Sequence, residues 1–407
     1  VSDPQSVEKT ESTVPAAPAQ NQLLRQLLSS NPLLIFLSCV LAFALSSVLI
    51  VLANEDARQA AGYFFARPGD FLSAAWGAIV DALTALVRGA IFDWTKDNPQ
   101  QMLRPLTESL TNAVPLILAG LGLAVGFRAG LFNIGAQGQL LAGATLATWV
   151  SLHTTLPAVV ALPLALLAAA TGGALWASIA GVLKARTGAN EVIVTIMLNS
   201  IAFFGVQYLL TKDTFIGEGN SNPKSLPIPE AAQYPRLLGD SFRLHWGFLV
   251  ALAAAVAVWW LLERSTWGFE FRATGFNPHA ARTAGISVNR VTVAVMAVAG
   301  ALAGLAGTAP ILATEKALTD GVAGSYGFDA ITVALLGRSR PWGTVMAGIL
   351  FGALRAGGTL MQTATKTPID IVLVVQSIIV LLIAAPPLVR MIFRLPAPEP
   401  KRQEVAA

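Results

Sequence analysis

Three stretches of this 407-residue chain carry polar side chains among apolar neighbours, and each implies a different chemistry. The first is GFRAGLFNIGAQGQ, residues 126–139, with glycines at 126, 130, 135 and 138 and the uncharged amides Asn133, Gln137 and Gln139. Amides removed from water need hydrogen-bond partners, and glycines let the chain break and re-enter. Unwound backbone among apolar helices is tolerated only where it faces protein or a wet cavity, so this segment reads as the lining of a pathway. A Gly-rich helix–helix turn with its amides bonded to backbone is the alternative. The second stretch is TGANEVIVTIMLN, residues 187–199. Gly188 and Asn190 lead into a helix whose first turn holds Glu191, a charge favoured at the positive end of the helix dipole. Glu191, Thr195 and Asn199 recur at i, i+4 and i+8, a polar stripe expected to face the bundle interior. Glu191 alone fits equally well as an interfacial helix-start charge.

The third stretch is ERSTWGFEFRATGFNPHAARTAGISVNR, residues 263–290. Asn277-Pro278 is a helix start, with Asn as cap and Pro at the first helical position. A short helix is predicted over His279 to Ala284, ended by Gly285. A capped helix in a long connection suits docking of a soluble partner, whereas a plain solvated loop would not need it.

Other chemistries are missing. The sequence holds no GxxxxGK[ST] phosphate loop, no GxSxG nucleophile elbow and no HExxH zinc helix. Cys39 is the lone cysteine, and His153, His245 and His279 lie far apart, so no disulfide framework, metal site or cofactor is expected. Ionisable residues within or at the ends of apolar runs are few: Glu108, Glu191, Asp329, Arg355 and Asp370. An ion-coupled carrier would bury an acidic relay deep in the membrane. Glu191 and Asp329 could serve, but each falls near a predicted helix end.

The elements that must hold these stretches are membrane helices. The chain is 54% hydrophobic and 12% charged with net charge +4, about half the charge of a soluble domain. That charge is too weak and scattered for nucleic acid. Apolar runs at about 33–53, 106–127, 131–150, 157–183, 191–210, 247–262, 291–312, 328–337, 341–361 and 369–389 predict an all-α polytopic bundle of about ten spans with broken or re-entrant segments. The run at 328–337 is too short to cross alone and reads as a half-helix, unless it borrows the Gly-rich residues before it. Residues 71–91, with Asp81 and Arg88, are expected to lie on the outer surface as an amphipathic helix.

Residues 1–32 read as a disordered cytoplasmic tail with no cleavable leader, 33–394 as the membrane domain and 395–407 as a second cytoplasmic tail. Arg128, Lys184, Arg186, Arg264, Arg272, Arg282, Arg290, Arg338 and Arg340 place the 263–290 connection inside, with outer loops at 54–105 and 211–246 and both termini cytoplasmic.

GFRAGLFNIGAQGQLLAGA, TGANEVIVTIMLNSIA, GFEFRATGFNPHAARTAGIS and GFDAITVALLGRSRPWGTVMAGILFGAL resemble segments of one family. It is the integral membrane permease family of bacterial ABC importers for nucleosides and simple sugars, related to ribose and branched-chain amino acid permeases. The resemblance covers about residues 105–392. It implies a multi-pass protein of the bacterial cytoplasmic (inner) membrane, without enzymatic activity of its own. A cytoplasmic ATP-binding subunit, a second and often different permease subunit and an extracytoplasmic binding protein or lipoprotein are the implied partners. Arg272, Thr274, Gly275, Asn277 and Ala281 match its ATPase-facing coupling segment, and Asn133, Gln137, Glu191 and Asn199 match its polar core positions.

An uncharged polar pathway suits a neutral solute, nucleosides first, carried by alternating access. Simple sugars, riboflavin or branched-chain amino acids on the same architecture are the alternatives. An amino acid would want a pair of opposite charges in the core, and none is evident in the sequence. An ion-coupled secondary carrier is the alternative of another class.

Overall fold

The structure, a computed structural model, describes residues 31–219, 222–365, 367–368 and 370–394. The expected tails therefore lie outside the described residues, except that residues 31 and 32 already belong to the first helix. The first helices are α1 (Asn31–Ala53), the short α2 (Glu55–Ala61), α3 (Pro68–Ala90), α4 (Pro99–Arg128), α5 (Ala136–Leu152), α6 (Ala158–Thr187) and α7 (Glu191–Leu209). A four-residue turn of helix, α8 (Asp213–Ile216), opens an irregular loop. Then come α9 (Gly247–Arg264), α10 (Thr266–Phe276), α11 (Pro278–Thr283), α12 (Val288–Ala306), α13 (Tyr326–Leu336), α14 (Pro341–Thr365), α15 (Asp370–Ala384) and α16 (Pro386–Ile392). Among the described residues no β-strand forms, and only two isolated bridges occur.

Helix α4 is the spine. Asn98 caps it by accepting from the Gln100 N–H at 2.9 Å, Pro99 occupies its first position, and from Ala113 to Gly126 every residue is buried. Helices α9, α12, α13 and α14 pack around it. Small residues set how closely: a Cβ on Gly173 of α6 would strike the Gly300 carbonyl oxygen of α12, and one on Gly352 of α14 would strike the Ser109 oxygen of α4. In lipid, where apolar helices gain little from shedding solvent, such close backbone approach is what holds helices together.

Seven helices are long and apolar enough to cross a membrane, and an eighth results if Val40–Ala53 and Glu55–Ala61, bent by 76°, count as one span. The sequence-derived figure of about ten is not reached among the described residues. Three expected spans fall short for local reasons. Helix α5 starts only at Ala136, after a non-helical 129–135, and has 17 residues. Helices α13 and α15 have 11 and 15. The half-helix reading of 328–337 matches α13. Helix α3 is among the seven by length and composition, although the sequence placed it on the outer surface. Its C-terminal part packs on α14 through Ala82, Ala85, Leu86 and Gly89, while Leu72 and Trp76 stay exposed.

The 211–246 loop is irregular, as its Pro, Gly and Asn content predicted, yet tightly held. Ser225, Ile228 and Tyr234 donate backbone N–H bonds of 2.9 Å to the Leu318, Lys316 and Leu312 carbonyls. It thereby caps the bundle at the end opposite Arg128.

Candidate functional site

Helix α4 stops at Arg128, and the chain runs without helix from Leu131 to Ile134 before α5 begins. Backbone groups freed by such a break must find partners. Helix α7 supplies them through its polar stripe. Glu191 Oε1 accepts from the Phe132 N–H (3.4 Å) and Thr195 Oγ1 from the Ile134 N–H (3.3 Å). Asn199 accepts from the Gly138 N–H (2.8 Å) and donates to the Ile134 carbonyl (2.9 Å). The i, i+4, i+8 spacing of the stripe thus meets the broken segment at three successive points.

Inside the break, Asn133 and Gln139 exchange two side-chain hydrogen bonds of 3.1 and 3.0 Å, and Asn133 also accepts from the Gly135 N–H at 2.8 Å. Both residues are 1% exposed, and Thr195 and Asn199 are buried as well. Lys184 at the end of α6 donates to Glu191 Oε2 at 2.5 Å. The α7 stripe and the Asn133–Gln139 pair are therefore brought together in one network, with backbone as the main partner.

Gln137 points elsewhere. Its Nε2 donates to the Gly324 carbonyl (2.7 Å) and its Oε1 accepts from the Gly327 N–H (2.9 Å), which joins the start of α5 to the start of α13. Beside it the Ser325 hydroxyl donates to Asp329 (2.7 Å), Arg355 of α14 lies 3.6 Å from Asp329, and the Arg355 guanidinium sits 4.2 Å from the Tyr326 ring centroid. Asp329 and Arg355, visible only singly in the sequence, thus form a pair of opposite charges, which corrects the expectation that the core holds none, and their grouping with Gln137 and Tyr326 was not foreseen. The available signal was that they are opposite charges in two apolar runs.

The 263–290 connection holds two helices, of which α11 was foreseen and α10 was not. Asn277 Oδ1 caps α11 by accepting from the His279 and Ala280 N–H groups (2.9 and 3.1 Å), and Gly285 follows with φ +84°. Ser265 caps α10 through the Gly268 N–H at 2.9 Å. Thr274 and Ala281 are buried, Arg272 and Gly275 half-buried, and Asn277 and Gly285 exposed. Phe276, at the corner between the two helices, is 98% exposed. A Cβ on Gly275 would collide with the Arg128 carbonyl oxygen, and Gly130, with φ +71°, also packs against Gly275. The projection is thus seated directly on the break after α4. Arg128 adds bonds to the Ser339 carbonyl (3.1 Å) and Glu263 (3.3 Å).

At the opposite end, Asp93, Arg104, Glu108 and Arg243 help line a cavity of about 690 Å³ between α4 and α14. Asp93 is held at about 2: burial pushes its carboxyl up, but hydrogen bonds from Arg88 and Thr95 together with the Arg88 charge outweigh that. His245 is stacked on Tyr234 and accepts from the Gly247 N–H at 3.1 Å. Burial first, and the Arg243 charge second, lower its pKa to about 4.

Long apolar helices around a broken, internally hydrogen-bonded core make the chain a polytopic helical membrane protein. It belongs to the family of branched-chain amino acid transport system permease components, whose pattern matches residues 106–384. It is 43% identical over 283 residues to the guanosine ABC transporter permease protein NupP of Bacillus subtilis, covering 68% of this chain and 80% of that one. The glucose ABC transporter permease protein TsgB13 of Haloferax volcanii is 41% identical over 68% of this chain and 75% of its own. The nucleoside ABC transporter permease protein NupB of Lactococcus lactis is 35% identical over 69% and 79%. No solved structure gives a significant match.

Proposed function

We propose that this permease is the membrane subunit of an ATP-driven importer of nucleosides. The observation that carries the mechanism is the seating of Gly275 on Arg128. A projection with an exposed aromatic corner, in backbone-to-backbone contact with the break in the central helix, transmits a push from outside the bundle into its core. The projection faces the cytoplasm and a separate ATP-binding subunit. The connections at that end hold Arg128, Lys184, Arg186, Arg264, Arg272, Arg282, Arg290, Arg338 and Arg340, in keeping with the excess of basic residues on cytoplasmic sides. Both termini lie on that side, in a bacterial cytoplasmic membrane.

A second permease subunit, a paralogue of this one, completes the pathway. An extracytoplasmic binding protein or lipoprotein delivers the solute to the 211–246 end. The guanosine and nucleoside permeases among its relatives support the cargo. Simple sugar is the second reading, favoured by the glucose permease relative.

The test is uptake of labelled nucleosides and glucose in a deletion strain complemented with the whole transporter. ATP-dependent nucleoside uptake is the expected result. Uptake into ATP-free vesicles driven by an ion gradient overturns it.

A further inference from the structure

Tyr326 opens α13, an 11-residue helix that ends beside Gly337 at the Arg128 face. At 1.5 Å per residue it lies about 16 Å inward of that face, near half the depth of a bilayer core of roughly 30 Å. At this depth Ser325, Asp329 and Arg355 make a connected polar patch beside the Tyr326 ring, and Gln137 bonds the adjoining Gly324 and Gly327 backbone. The patch is not closed: the side chains of Arg355 and Asp329 keep 32% and 21% of their surface, and neighbouring Gly324 and Phe328 are exposed. Charged groups with open surface at mid-depth do not face acyl chains; they face water or another subunit. The Asn133–Gln139–Asn199 network differs here, being sealed and spent on its own backbone.

We propose that the Arg355–Asp329–Tyr326 patch is the wall of the translocation pathway that contacts the nucleobase of the passing solute. This rests on the nucleoside-importer reading above. A nucleobase is a neutral planar ring whose edge sets hydrogen-bond acceptors beside donors. The Arg355 fork supplies donors to ring nitrogens and carbonyls, and the Asp329 carboxylate accepts from ring or exocyclic N–H groups. The guanidinium stacked on Tyr326 gives the base a flat cationic surface, and Phe328 adds an exposed aromatic edge. Because Arg355 and Asp329 form an ion pair at 3.6 Å, each can exchange that partner for an edge of the base as it passes. Such an exchange suits weak, transient binding.

The experiment uses the complete transporter with Cys39→Ser and one introduced cysteine, treated with a charged, membrane-impermeant thiol reagent. Ser325→Cys and Phe328→Cys are expected to react, and saturating guanosine to slow the reaction at least ~5-fold. Met197→Cys, exposed on the outer face of α7, stays unlabelled. In a parallel arm, Arg355→Lys keeps the charge but loses the planar fork. It raises the KM for guanosine about tenfold with maximal rate and ATP hydrolysis preserved, whereas a merely structural role lowers maximal rate or expression and leaves KM alone. Failure of the importer reading shows as no nucleoside uptake by the unmodified transporter. Failure of this proposal shows as normal nucleoside uptake with Ser325→Cys and Phe328→Cys unreactive, unprotected by guanosine, or with the KM of Arg355→Lys unchanged.

Discussion

The Cα of Gly275 rests against the carbonyl of Arg128 so closely that a methyl group on Gly275 would overlap that oxygen. The contact is backbone on backbone, between the end of α10 and the end of the central helix α4. Force applied to α11 therefore reaches the Leu131–Ile134 break without passing through a flexible side chain.

Gly275→Val is expected to uncouple the transporter. The added atoms force α10 away from α4, an overpacking that costs about 1–3 kcal/mol locally. Uptake falls at least ~10-fold while ATP hydrolysis by the assembled complex continues. Paired uptake and ATPase assays on purified transporter in vesicles check this; uptake matching the unmodified protein removes the coupling role. Ala281, also buried, gives the same pattern when replaced by Leu.

Asn199→Ala strands two backbone groups, the Gly138 N–H and the Ile134 carbonyl, in a closed interior. Each buried unsatisfied group costs about 1–3 kcal/mol. A fall in Tm of several degrees is expected for this variant in detergent. Glu191→Gln, whose long bond to Phe132 is weaker and whose partner Lys184 remains half-exposed, produces a smaller fall.

His245 makes stability depend on pH in one direction. Its pKa of about 4 lies below the ~6.5 of an unfolded histidine, so the unfolded chain binds the proton more readily between those values. The contribution, on the order of 3 kcal/mol, is complete above pH 6.5 and is lost as pH falls toward 4. Melting scans from pH 7.5 to 5 should therefore show a decline that His245→Gln flattens. Parallel curves for the two proteins would mean that another group sets the slope.

Gly173→Leu places a side chain where α6 meets the Gly300 and Gly304 backbone. Closely packed membrane helices have no room for it, so the folded protein recovered in detergent should drop sharply. A monodisperse, fully active variant would show that α6 and α12 separate freely.

The class of fold was legible because apolar runs of span length leave few other options, and Asn277-Pro278 marked α11 correctly because cap and first-turn chemistry are local. The number of spans was not. Gly130 and Gly135 signalled a break in this stretch, but Leu131, Phe132 and Ile134 are apolar whether or not they are helical, so a full span from residue 131 was counted as well. The contacts from α7 show where the chain is broken. The stripe Glu191–Thr195–Asn199 was visible by spacing, but its partners are main-chain groups about 60 positions away, which periodicity does not reveal. Arg355 and Asp329 meet only because α13 and α14 lie side by side.

Helix α7 has one further property. Ile193, Met197, Ile201, Phe204 and Tyr208 cover its outward side and make no part of the buried core. A smooth apolar rod in lipid could roll about its own axis at little cost. The three hydrogen-bonded residues, spaced one turn apart, act as a key cut along a single edge and fix the angle at which the rod sits. Any rotation of α7 must carry the segment after Arg128 with it, so the angular setting of one peripheral helix and the shape of the chain's central break are a single degree of freedom.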